Sequence, residues 1–256
     1  TLDPSDVAKR LQRNTSAICG VHLFGRICQV NELQALASQH SLVLYYDAAQ
    51  AFDLRFAGTP IGAFGLAQVL SFHATKFFGT AEGGAVLTND ARLAQELCAL
   101  RNFGYVDEES IGRIGINAKM SELSAAFGLA TLDGLAARAE KCHKLAELYR
   151  QRLQEIAGLR FCEPQEGVKN TGHYVQILVD EASFGLSRDD LLWALRDEHI
   201  YCRRYFAPIH RMQPFLQADG LASAHLPVTE RIASQMLSLP CYPDLDPNDA
   251  AVIVER

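Results

Sequence analysis

The chain has 256 residues, 48% of them hydrophobic, and a formal net charge of −6; this allows one large or two modest domains and excludes a general nucleic-acid binder, which needs a basic stripe. No stretch approaches the roughly 18 apolar residues of a membrane span, and the start lacks the basic and apolar regions of a signal peptide, so a soluble cytoplasmic protein with no membrane partner is expected. The seven cysteines are dispersed, with no C-x-x-C pair, which reads as reduced thiols serving as small hydrophobes, with no metal site and no disulfide framework.

From the N-terminus, Asp3-Pro4-Ser5-Asp6 predicts a short helix with Val7 and Leu11 on one face. Ala17 to Leu23 predicts a strand, and Asn31 is the expected cap of a helix carrying Leu33, Leu36 and Ala37. Leu42 to Tyr46 is an apolar, β-rich run that stops at Asp47, the pattern of a buried parallel strand delivering a polar residue to its carboxyl end. This strand, helix, strand unit is the building block of an α/β sheet. No G-x-G-x-x-G lies within it, which counts against a nicotinamide dinucleotide fold. His22, just after the first strand, reads as structural, and Gln50 sits on the first turn after Asp47. Val69 to Phe72 is a second apolar run, delivering Ser71, His73 and Lys76 at or just past its end. Ligands of open α/β sheets bind beyond the carboxyl ends of the strands, so Asp47 and Lys76 are placed to share one crevice.

Farther along, Ala85 to Thr88 predicts a strand, and Asn89 or Asp90 caps a helix bearing Leu93, Leu97 and Leu100. Residues 101–115 read as a loop, and Asn117 after it as a turn former. From Ser121 the pattern is helical, with Leu123, Ala126, Phe127 and Ala130 as its apolar stripe, weakened at Gly128 and Gly134 and continuing through Leu145, Leu148 and Leu153. After this long helical stretch the chain reads as a smaller α/β domain. In it, His173 to Val179 predicts a strand, Ser187 with Asp190 a capping box, and Ile200 the start of another strand. Arg203, Arg204, Tyr205 and His210 read first as surface charge and packing. Pro240 and Pro243 mark the turn before a final helix running to Arg256.

A lysine and a carboxylate flanking one crevice suit pyridoxal phosphate: the amine forms a Schiff base with the aldehyde, and the carboxylate keeps the pyridine nitrogen protonated. Either residue alone has a plainer reading, as a cap or metal ligand for Asp47 and a solvated charge for Lys76. The wording around them decides more. DAAQAF, SFHATKFFGTAEGGAVLTND, LRNFGY and GINAKMSELSAAFGL, in that order, resemble the nucleotide-sugar aminotransferases of the DegT/DnrJ/StrS type, and the likeness runs from the opening residues to RRYFAPIH and LSLPCYP.

The resemblance implies a fold type I pyridoxal-phosphate enzyme: α/β, a mostly parallel sheet flanked by helices, plus a smaller C-terminal α/β domain; in that fold type a long helix such as the one after Ser121 joins two domains, which places the boundary near residue 140, with a cofactor-binding domain over 1–140 and the small domain over 141–256. It implies pyridoxal 5'-phosphate as cofactor, Lys76 as the residue that binds it and moves protons, Asp47 at the ring nitrogen, and Gln50 at the phenolic oxygen. Ser71 is implied at the phosphate, with His73 positioning phosphate or substrate. Asn117 is implied to reach the phosphate of a partner subunit, hence a homodimer with composite sites. Arg203, Arg204, Tyr205 and His210 are implied near the substrate. The reaction implied moves an amino group, with L-glutamate as donor, to a keto group of a nucleotide-linked deoxysugar, the HATK and GINAKM wording being most similar to members acting on dTDP-linked sugars. Relatives that dehydrate sugars have another residue, commonly His, in place of Lys76, so Lys76 favours transamination over a dehydratase. Family members also carry an upstream phosphate-binding turn that this sequence lacks, so the chain resembles a member without the first part of its large domain; poor cofactor binding, or a fragment without independent catalysis, is the remaining expectation.

Overall fold

Strands in this chain alternate short apolar runs with polar ends, and the architecture follows from how those runs pair. A computed structural model describes residues 1–215 and 225–255. In chain order it contains α1 (Pro4–Arg10), β1 (Ala17–Val21), α2 (Val30–Gln39), β2 (Val43–Asp47), β3 (Arg55–Phe56), β4 (Thr59–Pro60), β5 (Ala67–Ser71), β6 (Gly84–Leu87), α3 (Ala91–Arg101), α4 (Glu122–Leu132) and α5 (Leu135–Leu153). These are followed by β7 (Leu159–Phe161), β8 (Val168–Lys169), β9 (Val175–Val179), α6 (Glu181–Phe184), α7 (Arg188–Asp197), α8 (Pro227–Gln235), β10 (Met236–Leu239) and α9 (Pro247–Glu255). Residues 1–136 and 164–171 form one unit; 137–163 and the chain from Gly172 onward form a second. Segment 164–171, which the sequence reading placed in the C-terminal domain, thus belongs to the first unit, where β8 pairs with β3.

In the first unit the sheet order is β1-β2-β5-β6. The first three strands are parallel and β6 runs antiparallel to β5. One face, carrying Ile18, Leu44, Tyr46 and Leu70, packs with Val30, Leu33 and Ala37 of α2 and with Leu54 and Ile61. The opposite face is also apolar, yet Val21, Val43, Tyr45, Val69 and Val86 on it are exposed. Asn31 is not the cap of α2: the helix begins at Val30, with Gln29 at its N-cap, because Val30 is drawn into the core. Asp90 does cap α3, accepting a hydrogen bond from the Leu93 N–H at 2.9 Å.

The long helical pattern from Ser121 is two helices, α4 and α5, separated at Asp133 and at Gly134, whose φ of 82° is one glycine adopts freely. The expected apolar stripe of α4 also proves to be its outer side. Leu123 and Phe127 are exposed, at 85% and 54%, while Gly128 is buried. A Cβ at Gly128 would lie 2.8 Å from the Thr80 methyl, so the small residue is what lets this helix approach its neighbour, and the larger side chains turn outward.

The second unit is built on an antiparallel sheet of order β10-β9-β7. Every residue of β9 and β10 is buried, and within that core the Ser238 hydroxyl donates to the Gln176 side-chain oxygen at 2.6 Å. Helix α5 contributes Cys142, Leu145, Tyr149 and Leu153 as its buried stripe. Ser187 caps α7, its hydroxyl oxygen accepting from the Asp190 N–H at 3.1 Å and its hydroxyl donating to the Asp190 carboxylate at 2.6 Å. No strand starts at Ile200. Its N–H bonds back to Leu195 in the turn that ends α7, and pairing with β10 is limited to one bridge between Arg203 and Ser238. The final helix is described to Glu255, and Arg256 lies outside the described residues. Among the described residues no helix is long and apolar enough to cross a membrane.

Candidate active site

Asp47 is the last residue of the central strand β2, in register with Val21 on one side and Val69 on the other. Its carbonyl accepts from the His22 N–H at 2.9 Å, and the next N–H, of Ala48, donates to Val69 at 2.9 Å, so the backbone that carries the carboxylate is clamped from both flanking chains. One carboxylate oxygen accepts from the Ala49 N–H at 2.9 Å; the other has no hydrogen bond to the described residues. Ser71, the last residue of β5, shares with Asp47 a cavity of about 360 Å³ whose walls include Tyr45 and Val69 from the uncovered sheet face. Lys76, His73, Gln50 and Asn117 do not line that cavity.

Lys76 sits in a tight turn between β5 and β6. Phe72 and Gly83 start it, with the Phe72 N–H donating to Gly83 at 2.8 Å, and the Thr80 N–H returning to Phe72 at 2.7 Å. The Lys76 N–H donates to the His73 carbonyl at 2.9 Å. His73 is used within the same turn: its Nδ1 accepts from the Thr75 N–H at 3.2 Å and lies 2.8 Å from the Thr75 hydroxyl, while its Nε2 is 3.7 Å from the Glu82 carboxylate. The Lys76 side chain is half-buried, and its ammonium has neither a hydrogen bond nor a carboxylate partner among the described residues.

Three phenylalanines tie this turn to the one after Asp47. Phe52 stacks on Phe78 with ring centroids 4.5 Å apart, and Phe72 meets Phe78 edge-on at 4.9 Å. Gly128 of α4 then seats against Thr80 and Phe78. The sequence reading took Phe72 as the end of an apolar run and Gly128 as a weak point in a helical stripe, and gave neither a place in this clasp. Their signal, aromatics alternating with the polar residues at 71–78 and one at 52, becomes readable only when the two turns are known to be neighbours.

The remaining candidates are placed as follows. The Gln50 side-chain oxygen accepts from the Phe24 N–H at 3.1 Å, fastening the loop after β1 and leaving its amide N–H groups as donors. His22 is buried, stacks on Tyr46 at 4.5 Å and accepts from the Cys28 N–H at 3.0 Å; burial lowers its pKa from 6.5 to about 4 and pushes the Tyr46 phenol up. Asn117 is exposed, its side-chain oxygen accepting from the Lys119 ammonium at 2.7 Å. In the second unit, Arg203, Arg204 and Tyr205 line a cavity of about 350 Å³ together with Trp193, Arg196 and Tyr201, and Arg204 pairs with Asp189 at 3.1 Å. His210 is not in that cavity; it is buried and bonded to the Glu230 carboxylate at 3.0 Å. Among the described residues no group of three or more metal-ligating side chains is assembled.

The sequence profile of the DegT/DnrJ/EryC1/StrS aminotransferases matches residues 1–256. The chain belongs to that family. Its relatives include a dTDP-4-amino-4,6-dideoxy-D-glucose transaminase of Shigella dysenteriae, 36% identical over 249 residues, covering 97% of this chain and 67% of the relative. The Escherichia coli protein of the same description is 33% identical, covering 96% and 66%. Among solved structures, DesI with its TDP-sugar product superposes with a TM-score of 0.93 at 38% identity, covering 99% of this chain and 64% of that one. Helicobacter pylori PseC, an aminotransferase in pseudoaminic acid biosynthesis, gives 0.93 at 28% identity, covering 99% and 69%. This family member therefore has the α/β fold of those aminotransferases and spans about two thirds of their length.

Its residues fit the demands of pyridoxal phosphate. A carboxylate with one oxygen unengaged and a hydroxyl open onto one cavity at adjacent strand ends, and an unpaired, half-buried lysine stands on the turn that leaves the second of those strands. A carboxylate suits a planar cationic ring, a hydroxyl a phosphate, and a free amine an aldehyde.

Proposed function

We propose that this chain supplies the cofactor-binding residues of a pyridoxal-phosphate aminotransferase that moves an amino group from an amino acid, L-glutamate, to a keto group of a nucleotide-linked deoxysugar. The observation that carries the reading is the joint opening of Asp47 and Ser71 into one cavity, with Lys76 unpaired on the turn beyond Ser71. When bound, pyridoxal phosphate supplies the electron sink for a carbanion next to nitrogen. Asp47 holds a proton on the pyridine nitrogen through its unengaged oxygen. Ser71 donates to the phosphate, and Gln50 offers its amide N–H to the phenolic oxygen. Lys76 would hold the cofactor at its aldehyde through the side-chain amine, and that amine, once freed, would move the proton of the donor's α-carbon. His73, fixed by Thr75 and Glu82, holds the turn that aims Lys76. The dTDP-4-amino-4,6-dideoxy-D-glucose transaminases among its relatives support dTDP-linked amino-deoxysugars as the substrate class. We read Asn117, exposed on its loop, as a residue for a second copy's phosphate in a homodimer, and Arg203, Arg204 and Tyr205 as contacts to an anionic substrate; His210, tied up with Glu230, serves their support.

A second reading, that residues 1–256 need further chain to bind the cofactor, is favoured by the exposed apolar face that forms the wall of the Asp47 cavity. One experiment treats both. The 256-residue chain, and the same chain joined to the third of the Shigella relative that has no counterpart here, are mixed with pyridoxal phosphate, reduced with borohydride and mapped by peptide mass. Label on the Lys76 peptide, lost in Lys76→Ala, is expected in the joined form. Equal labelling in Lys76→Ala would sink the assignment, and label in the joined form alone would establish the second reading.

A further inference from the structure

We propose that the cavity of the second unit between α7 and residues 200–205 binds a nucleoside diphosphate, its base stacked on the exposed pair Trp193 and Tyr201 and its phosphates held by Arg196, Arg203 and Arg204. This deepens, and rests on, the reading of Arg203, Arg204 and Tyr205 as contacts to an anionic substrate. Trp193 and Arg196 are three positions apart on α7 and so share a face. Leu192 and Leu195 of the same helix are buried, so the shared face is turned from the core. The helix ends in a reversal at His199, whose φ is 62°, with the Ile200 N–H returning to the Leu195 carbonyl at 2.8 Å. That reversal brings Tyr201 back beside the helix, and the Arg196 guanidinium lies over two rings, 5.3 Å from the Trp193 centroid and 5.9 Å from that of Tyr201. Both rings keep surface for a ligand, being 51% and 61% exposed. The chain is then held to β10 by the bridge of Arg203 with Ser238, whose N–H to carbonyl distances are 3.0 and 2.7 Å, and the Arg203 side chain lines the same cavity.

Charge and shape together choose the ligand. The whole chain has a net charge of −6, yet three arginines and no acidic residue line this cavity. Arg204 is fixed by the Asp189 carboxylate at 3.1 Å, which Arg188 shares at 2.7 Å, and Arg188 is itself anchored on the Ala233 and Met236 carbonyls. One guanidinium N–H of Arg204 is thereby used for positioning, and the others remain to donate. Neither Arg196 nor Arg203 has a carboxylate partner among the described residues. Guanidinium forks match phosphate oxygens, and a base of any identity stacks on an aromatic face. The volume of about 350 Å³ is that of a small-molecule site. An amino acid or inorganic phosphate has charge but no ring to lie on Trp193 and Tyr201, and a nucleoside has the ring without the charge. A nucleoside diphosphate uses both. Every residue of the site lies in the second unit, so binding requires no cofactor.

Trp193 is the chain's single tryptophan, and its emission reports this cavity. Titration of the 256-residue chain with dTDP, excited beyond the absorption of the nucleotide, is expected to give a saturable change with a midpoint below about 1 mM. Arg196→Ala and Arg203→Ala, with circular dichroism unchanged, are each expected to raise the midpoint about tenfold or more, and Arg203→Lys to recover part of the loss. Thymidine and inorganic pyrophosphate should bind more weakly than dTDP, and equilibrium dialysis should show the same weakening in Tyr201→Ala without relying on emission. Displacement of dTDP by dTDP-glucose would bear out the site as one for the nucleotide end of the substrate; binding of dTDP that dTDP-glucose does not displace would bear it out as one for the free nucleotide. Absence of a saturable change, thymidine binding as tightly as dTDP, or an unaltered midpoint in both arginine variants would overturn the proposal. The catalytic reading fails separately: Lys76→Ala should bind dTDP like the unmutated chain, and borohydride labelling elsewhere than Lys76 would sink that reading while leaving the Trp193 titration intact.

Discussion

The two sheets of this chain are built from similar residues and buried very differently. β9 and β10 read VQILV and MLSL and are covered on both faces, even at Gln176 and Ser238, where the Ser238 hydroxyl donates to the Gln176 side-chain oxygen. β1 and β2 read AICGV and VLYYD, apolar on both faces too, yet every second residue is exposed. Apolar composition on both faces is what a parallel sheet covered on both sides requires. The difference teaches that the strands near Asp47 are written for a covering layer, while those of the second unit already have theirs.

The strongest way to test that contrast is in the second unit. Leu237→Ala, at a fully buried position of β10, is expected to cost about 2–5 kcal/mol, read as a lower denaturant midpoint. Next in size is a pH effect on the covered side of the first sheet. Folding lowers the His22 pKa from 6.5 to about 4 by burial, so between those values the unfolded chain takes up a proton that the folded chain refuses. The stabilisation is complete above the upper value and is lost as pH falls through the lower one. At about 1.4 kcal/mol per unit this amounts to about 3 kcal/mol, seen as a flatter stability-versus-pH curve in His22→Gln over that window. The smallest effect is expected on the open face, where Val69→Ala should shift stability by no more than about 0.5 kcal/mol. A loss of several kcal/mol there would mean the face is covered in solution, and the contrast between the sheets would fail.

What the sequence made legible was local. The apolar run stopping at Asp47, the polar cluster Ser71, His73 and Lys76, and the caps at Asp90 and Ser187 are each contained within a few residues, where strand period and side-chain capping act. What it hid was set between distant segments. The cap of α2 moved because Val30 had a core to join, and the stripe of α4 turned outward because Gly128 had Thr80 to approach. The clasp of Phe52, Phe72 and Phe78 joins two turns that periodicity alone does not place side by side. Arg204 and His210 illustrate the same limit from the opposite side: the motif flagged them together, but their partners, Asp189 and Glu230, lie 15 and 20 positions away.

The seating of Gly128 against Thr80 brings the α4 backbone onto the turn that carries Lys76. The helix's outer side offers Leu123 and Phe127 to whatever docks there, and its inner side bears, with no side chain as cushion, on the bend that holds Lys76. A residue larger than glycine at 128 would have to push either α4 or the Thr80 methyl aside.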